Sequence, residues 1–157
     1  MIYFITGHIG CGKSTKLLSM YQSLSIGDGF YNIRRYNGNQ TIGQDIVHVS
    51  TGNYIPFSRI DGFIPRHWHE AGRYRNYSFS KDGLAFTNKI IQQLLDTNET
   101  IAYIDELGHL ELKKEGLYHQ FNALLQANFD IYVVCRNNCL NAIIDLYNIS
   151  EFTIINC

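Results

Sequence analysis

No excess of either charge marks this chain of 157 residues: 13 Lys and Arg stand against 14 Asp and Glu, for a formal net charge of −1. That balance leaves no electrostatic footprint for nucleic acid or for an anionic membrane. No stretch approaches the ~18 consecutive apolar residues that a membrane span requires. The apolar run after Met1 has no basic leader and is interrupted at Thr6 and His8, against the pattern of a secretory signal. The four cysteines, Cys11, Cys135, Cys139 and Cys157, form neither a C-x-x-C pair nor a metal-type cluster, so a cytoplasmic chain with reduced thiols is expected. Internal repeats, low-complexity segments and linkers are also lacking. What is present is 45% hydrophobic and 17% charged residues, a globular composition at the length of one domain with a real core.

The chain alternates strand-like and helix-like segments at its two ends. Ile2 to Thr6 is a nearly unbroken β-prone run, as in a buried parallel strand. Lys13 to Leu24 carries Leu17, Leu18, Tyr21 and Leu24 at helical spacing, and Gly27, Asp28 and Gly29 close it. Residues 30 to 80 are rich in Tyr, Ile, Val and Thr and broken by Asn37-Gly38, Thr51-Gly52-Asn53 and Asp61-Gly62. They read as a strand near Phe30 to Arg35, a hairpin of Ile42 to Val49 with Tyr54 to Ile60, and a long loop from Asp61 to Tyr77. Alternation then resumes with a helix Asp82 to Asp96, capped by Ser80 or Asp82, and a strand Thr100 to Ile104. A helix Glu115 to Ala127, a strand Ile131 to Cys135, a helix Asn138 to Tyr147 and a strand Phe152 to Ile155 complete the pattern. Such alternation implies one three-layer α/β domain, with a mostly parallel sheet and an inserted β-hairpin.

Gly7-His8-Ile9-Gly10-Cys11-Gly12-Lys13-Ser14 matches G-x-x-x-x-G-K-[ST], the P-loop pattern, between a predicted strand and a predicted helix. Glycines let backbone N–H groups curl around phosphate oxygens, and the helix points its positive end at the anion. Lys13 then reaches the β- and γ-phosphates, the Ser14 hydroxyl ligates Mg²⁺, and Thr15 continues the nucleotide-binding turn. By chance the pattern arises in roughly one chain of this length in 200, before the strand–helix context is required. Cys11 lies near a helix N-terminus, which can lower a thiol pKa, although a small loop residue is the plainer reading.

Ile101-Ala102-Tyr103-Ile104-Asp105-Glu106 is an apolar strand that delivers acidic residues at its C-terminal end. Behind a P-loop, Asp105 is placed to hold Mg²⁺ and Glu106 to polarise an attacking water. Arg136 ends the Ile131 to Cys135 run. With that strand between the other two, its cation faces the γ-phosphate. The long loop holds Arg66, Arg73 and Arg75 with Trp68, Tyr74 and Tyr77, the make-up of a lid that closes over nucleotide and supplies a cation. His67-Trp68-His69-Glu70 invites a metal reading, but no further ligand cluster lies near it. Asn88-Lys89-Ile90-Ile91 has Ile91 where a guanine-reading motif needs aspartate.

Together these pieces resemble the small cancer-related nucleoside-triphosphatase family. Ile104-Asp105-Glu106-Leu107-Gly108-His109-Leu110-Glu111-Leu112 is similar to its I-D-E-[IL]-G-x-[ML]-E-L, Ile55-Pro56-Phe57-Ser58-Arg59 to its basic segment, and Gly72-Arg73-Tyr74 to its G-[KR]-Y. The resemblance implies a RecA-like fold and Mg²⁺-dependent hydrolysis of nucleoside triphosphates with loose base choice. It implies phosphate and metal roles for Gly7 to Ser14 and Asp105, a base at Glu106, an accessory acid at Glu111 and a catalytic cation at Arg73. Asn32, Ile33-Arg34 and Tyr36 depart from the threonine, acidic and arginine positions expected after Gly29-Phe30, and the family's closing segment does not follow Cys157. Two other functions fit the same loop: a small-molecule or nucleotide kinase whose lid is built from Arg59, Arg66, Arg73 and Arg75, and a nucleotide switch with negligible turnover. Glu106 favours hydrolysis over both.

Overall fold

The computed structural model describes residues 1–157. Ile2–Thr6 (β1) is buried at every position but Tyr3, as an apolar run covered on both faces must be. Lys13–Leu24 (α1) follows, then Asp28–Asn37 (β2), Gln40–His48 (β3), Tyr54–Ile60 (β4), Glu70–Tyr74 (β5) and Tyr77–Ser80 (β6). Next come Lys81–Asp96 (α2), Ile101–Leu107 (β7), His109–Leu112 (α3) and Tyr118–Gln126 (α4), and finally Asp130–Cys135 (β8), Leu140–Leu146 (α5) and Phe152–Asn156 (β9).

All nine strands lie in one sheet, ordered β5-β6-β4-β3-β2-β7-β8-β1-β9. From β2 to β9 the pairings are parallel; from β2 to β5 they are antiparallel. The α/β fold expected from sequence is therefore the one observed, and its antiparallel insert extends beyond the expected hairpin. The segment read as a loop from Asp61 to Tyr77 contains β5, which pairs with β6. β5 is an edge strand with no buried residue, so it carries charged side chains and no apolar alternation to announce it.

Neighbouring residues on the parallel strands go to opposite faces, with the strand period of two. Ile5, Tyr103 and Val134 meet α1, which buries Leu17 among them. Phe4, Ile104 and Val133 meet α2, α4 and α5 through Ile91, Phe121 and Ile143. On the α1 face Tyr3, Tyr132 and Tyr103 stand in register across β1, β8 and β7. Their rings stack at 4.5 and 5.5 Å, contacts worth ~0.5–1.5 kcal/mol each. α2 starts where Ser80 Oγ accepts from Gly83 N–H at 3.1 Å, a cap worth about 1 kcal/mol. The helix expected from Glu115 begins only at Tyr118, after Lys114 and Gly116 turn to left-handed φ values of +60° and +61°.

The connection from β1 runs past β8 and β7 to reach β2, whereas β8 leads through α5 to β9 on the other side of β1. Strand order thus reverses between β1 and β8. A crevice outside their C-terminal ends is where this class of sheet binds ligands.

Candidate active site at the β1, β7 and β8 strand ends

Gly7 to Ser14 forms the turn from β1 into α1. Gly10 and Gly12 have φ of +84° and +96°, values that cost a residue with a Cβ ~1–2 kcal/mol each. The first bond of α1 is Lys16 N–H to Gly12 O at 2.8 Å, and no side chain caps the helix. The N–H groups of Lys13, Ser14 and Thr15 therefore have no helical partner and point out at the turn. Lys13 Nζ donates to Gly7 O at 3.2 Å and His8 O at 3.0 Å, so its charge sits inside the curl of the loop. Ile9 is 88% exposed at the tip.

Asp105 ends the regular part of β7 and is buried. Its Oδ2 accepts from Asn32 N–H at 2.9 Å, and its Oδ1 is buried with no partner. Burial pushes this carboxyl up to about 7, aided by the Glu106 charge and opposed by Ser14, the Asn32 N–H and Lys13. Thr6 Oγ1 and Asn32 Oδ1 are also buried without partners. Three oxygens on β1, β2 and β7 thus lack hydrogen bonds, at ~1–3 kcal/mol for each polar group left unsatisfied. Of these, Asp105 has the Ser14 hydroxyl beside it, and a carboxylate with a hydroxyl is an oxygen donor pair that suits a hard divalent cation such as Mg²⁺. The role of Asn32 was hidden in sequence because its backbone, not its side chain, holds Asp105.

Glu106 is the extra residue of a β-bulge: Asp105 lies opposite Val134 and Leu107 opposite Cys135. A bulge re-aims the residue it extrudes, so Asp105 stays buried while the Glu106 side chain is 23% exposed. Arg136, at the end of β8, directs Nε to Glu106 Oε1 at 2.5 Å. β8 does lie between β7 and β1, as the Arg136 reading required.

Glu111, the accessory acid of the resemblance, is enclosed. Its Oε2 accepts from Gly108 N–H at 2.7 Å and its Oε1 from Leu117 N–H at 2.9 Å. Burial pushes it up to about 7 against these two bonds. It fastens the chain leaving β7 and offers no oxygen to a ligand.

The hairpin β5–β6 sets where the arginines of this segment sit. Arg73 pairs with Asp61 at 2.8 Å and Glu70 at 2.9 Å. The next residue, Tyr74, stacks on His109 at 4.5 Å and 11°. Arg136 and Arg75 both lie over the Tyr74 ring, at 5.8 and 5.3 Å. His109 is lowered from its usual pKa by burial, then by the charges of Arg136, Arg75 and Lys113. The hairpin therefore brings Tyr74 and Arg75, not Arg73, beside the Glu106–Arg136 pair. The signal was the two-residue gap Arg75-Asn76 between Tyr74 and Tyr77, which marks a hairpin tip.

Of the other lid residues, Arg66 is exposed and makes no ion pair, while Arg59 and Trp68 are committed elsewhere. Arg59 pairs with Asp45 at 2.7 Å, and Trp68 Nε1–H donates to Ser78 Oγ at 2.8 Å. His69 lies 3.8 Å from Asp82, and no three His, Cys, Asp or Glu side chains gather as a metal cluster. A cleft of about 300 Å³ beside Met1, Phe129 and Tyr147 opens at the opposite end of the sheet and shares none of the site residues.

A parallel sheet with a glycine-rich turn before a helix, and a carboxylate at a nearby strand end, defines the P-loop nucleotide-binding class. The family model described as NTPase matches residues 2–156, and the chain belongs to that family of nucleoside-triphosphatase enzymes. It is similar to nucleoside-triphosphatase THEP1 of Sulfolobus acidocaldarius, at 28% identity over 139 residues, covering 86% of this chain and 76% of that one. THEP1 of Natranaerobius thermophilus is 23% identical over 129 residues, covering 81% and 70%. Two solved structures share the fold. The solution structure of a human cancer-related nucleoside triphosphatase has a TM-score of 0.70 at 23% identity, over 98% of this chain and 87% of that one. The crystal structure of THEP1 from Aquifex aeolicus has a TM-score of 0.69 at 16% identity, over 99% and 89%.

Proposed function

We propose that this chain hydrolyses nucleoside triphosphates to the diphosphate and phosphate by direct attack of water, with Mg²⁺ held at Ser14 and Asp105 and with loose base choice. The observation that carries the reading is Glu106: a bulge lifts it out of β7 beside the buried Asp105, with Oε1 on Arg136 and Oε2 left to meet a water.

The free N–H groups of the loop and Lys13 bind the β- and γ-phosphates. Mg²⁺ on the Ser14 and Asp105 oxygens would neutralise charge on the phosphate oxygens. Glu106 orients the water and accepts its proton. As Glu106 gains that proton its hold on Arg136 weakens, and the guanidinium turns to the charge growing on the departing phosphoryl group. Arg75 stands behind it as a second cation, and Tyr74 and His109 keep both arginines in place. Such a cation is worth ~10³–10⁵ in rate. All these residues address phosphate, which supports loose base choice. The ion pairs that hold Arg59 and Arg73 speak against a closing kinase lid. Four free cysteines support a cytoplasmic setting.

The test is phosphate release from ATP, GTP, CTP and UTP, with and without nucleoside and nucleotide acceptors, in Mg²⁺ and in chelator. Release from several triphosphates without an acceptor, lost in chelator, is expected. Turnover only with an acceptor, or tight binding without release, would overturn the proposal.

A further inference from the structure

Two thiols meet at the phosphate loop. β9 runs parallel to β1 as far as the Thr6–Asn156 pair, and Cys157 N–H continues the ladder by donating to Thr6 O at 2.9 Å. This carries Cys157 alongside Gly7. Its Sγ–H donates to the Cys11 carbonyl at 2.7 Å. A Cβ added to Gly7 would stand 2.8 Å from Cys11 Sγ and 3.2 Å from Cys157 Cβ, so the two cysteines flank a single point. The Cys157 thiol is raised from its usual pKa by its hydrogen bond to Cys11 first, with Lys13 and Lys16 pulling the other way. Access singles out the same pair: Cys157 is exposed and Cys11 half-buried, whereas Cys135 and Cys139 are buried.

We propose that Cys11 and Cys157 form a thiol–disulfide modification site, oxidised by small-molecule disulfides of the glutathione type, whose closure ties the phosphate loop to β9 and stops turnover. The exposed Cys157 thiolate attacks one sulfur of oxidised glutathione, and the other leaves as a glutathione thiolate that takes up a proton. The Cys11 thiolate then attacks Cys157 Sγ and expels the second glutathione. Two protein thiols lose two protons and two electrons, and two molecules of reduced glutathione carry them away.

The effect follows from position. The backbone on both sides of Cys11 has to curl around phosphate, and Gly10 and Gly12 give it the freedom to do so. A bond from Cys11 Sγ to Cys157 anchors the middle of that curl to the sheet edge and removes the donor from the Cys11 carbonyl. The inhibitory half of the inference rests on the nucleotide-binding reading of the loop; the bond itself does not.

The experiment equilibrates the full chain with defined ratios of oxidised to reduced glutathione. It then traps free thiols, maps linked peptides by mass spectrometry and measures phosphate release. The expected result is one linked pair, Cys11 with Cys157, formed in step with a ~10²-fold loss of turnover that dithiothreitol reverses. Cys157→Ser is expected to keep full activity when reduced and to lose it no longer on oxidation. A stable glutathione adduct on Cys157 without the link overturns the proposal, as does an equal loss of turnover in Cys157→Ser. If the reduced protein neither binds nor hydrolyses triphosphate, the nucleotide reading fails, and the mapped link still decides the thiol chemistry.

Discussion

Arg136 Nε and Glu106 Oε1 lie 2.5 Å apart, in an ion pair that joins the ends of two adjacent parallel strands. In the proposed mechanism the pair supplies the cation and the base that meet the γ-phosphate and its attacking water. Removing the cation should leave binding to the loop and weaken the chemistry. Arg136→Ala is expected to cost ~10³-fold in kcat with little change in nucleotide affinity. Arg136→Lys should recover only part, because an ammonium lacks the planar fork. A kcat within a few-fold of wild type in Arg136→Ala would remove Arg136 from the mechanism.

The hairpin tip makes a contrast between two nearby arginines. Arg75→Ala is expected to lower kcat by about tenfold or more, since its charge lies by Tyr74 and His109. Arg73→Ala loses only the exposed pairs with Asp61 and Glu70 and should turn over like wild type, because exposed pairs contribute little. The reverse order in steady-state kinetics would restore Arg73 as the catalytic cation.

Asp105→Asn tests the metal ligand in binding as well as rate. Asparagine keeps an acceptor for the Asn32 N–H and removes a buried charge, so the protein should fold and melt no lower than wild type without metal. Wild type should gain thermal stability from Mg²⁺ with a non-hydrolysable triphosphate, and Asp105→Asn should gain much less. Equal gains in a melting series would place the metal elsewhere.

Glu111 predicts a pH dependence of stability. Burial pushes its carboxyl up to about 7, above the usual glutamate value of ~4.3. Between those values the folded chain holds a proton that the unfolded chain has released. The contribution to stability is complete below ~4.3 and is lost as pH rises towards 7. Asp105, also pushed up to about 7, adds a slope of the same sign. Glu111→Gln cannot titrate, so its urea-derived unfolding free energy should change less from pH 5 to 7. It should also be less stable by ~1–3 kcal/mol, because the amide turns a donor towards one of two backbone N–H groups. An unaltered pH slope in Glu111→Gln would contradict this.

The parts of the site that a short stretch of chain encodes were legible without the structure. Gly7 to Ser14 carries its own turn chemistry, and Ile101 to Asp105 shows itself as a buried strand by composition alone. What depended on partners was not legible. The extrusion of Glu106 is set by its register against Val134 and Cys135. The different settings of Arg73 and Arg75 follow from Arg73 lying on β5 and Arg75 in the turn after it, and β5 is recognisable only by its pairing with β6. Glu111 resembled a site acid because sequence shows a carboxylate but not the backbone N–H groups that enclose it.

Single-turnover hydrolysis by Glu106→Gln, measured beside calorimetric titration of the same protein with a non-hydrolysable triphosphate and Mg²⁺, tests the central claim most directly. Glutamine preserves the size of the side chain and an acceptor for Arg136 but cannot take the proton. The account predicts wild-type affinity within a few-fold and a rate lower by ~10²-fold or more. Hydrolysis at the wild-type rate by the fully bound mutant would contradict it.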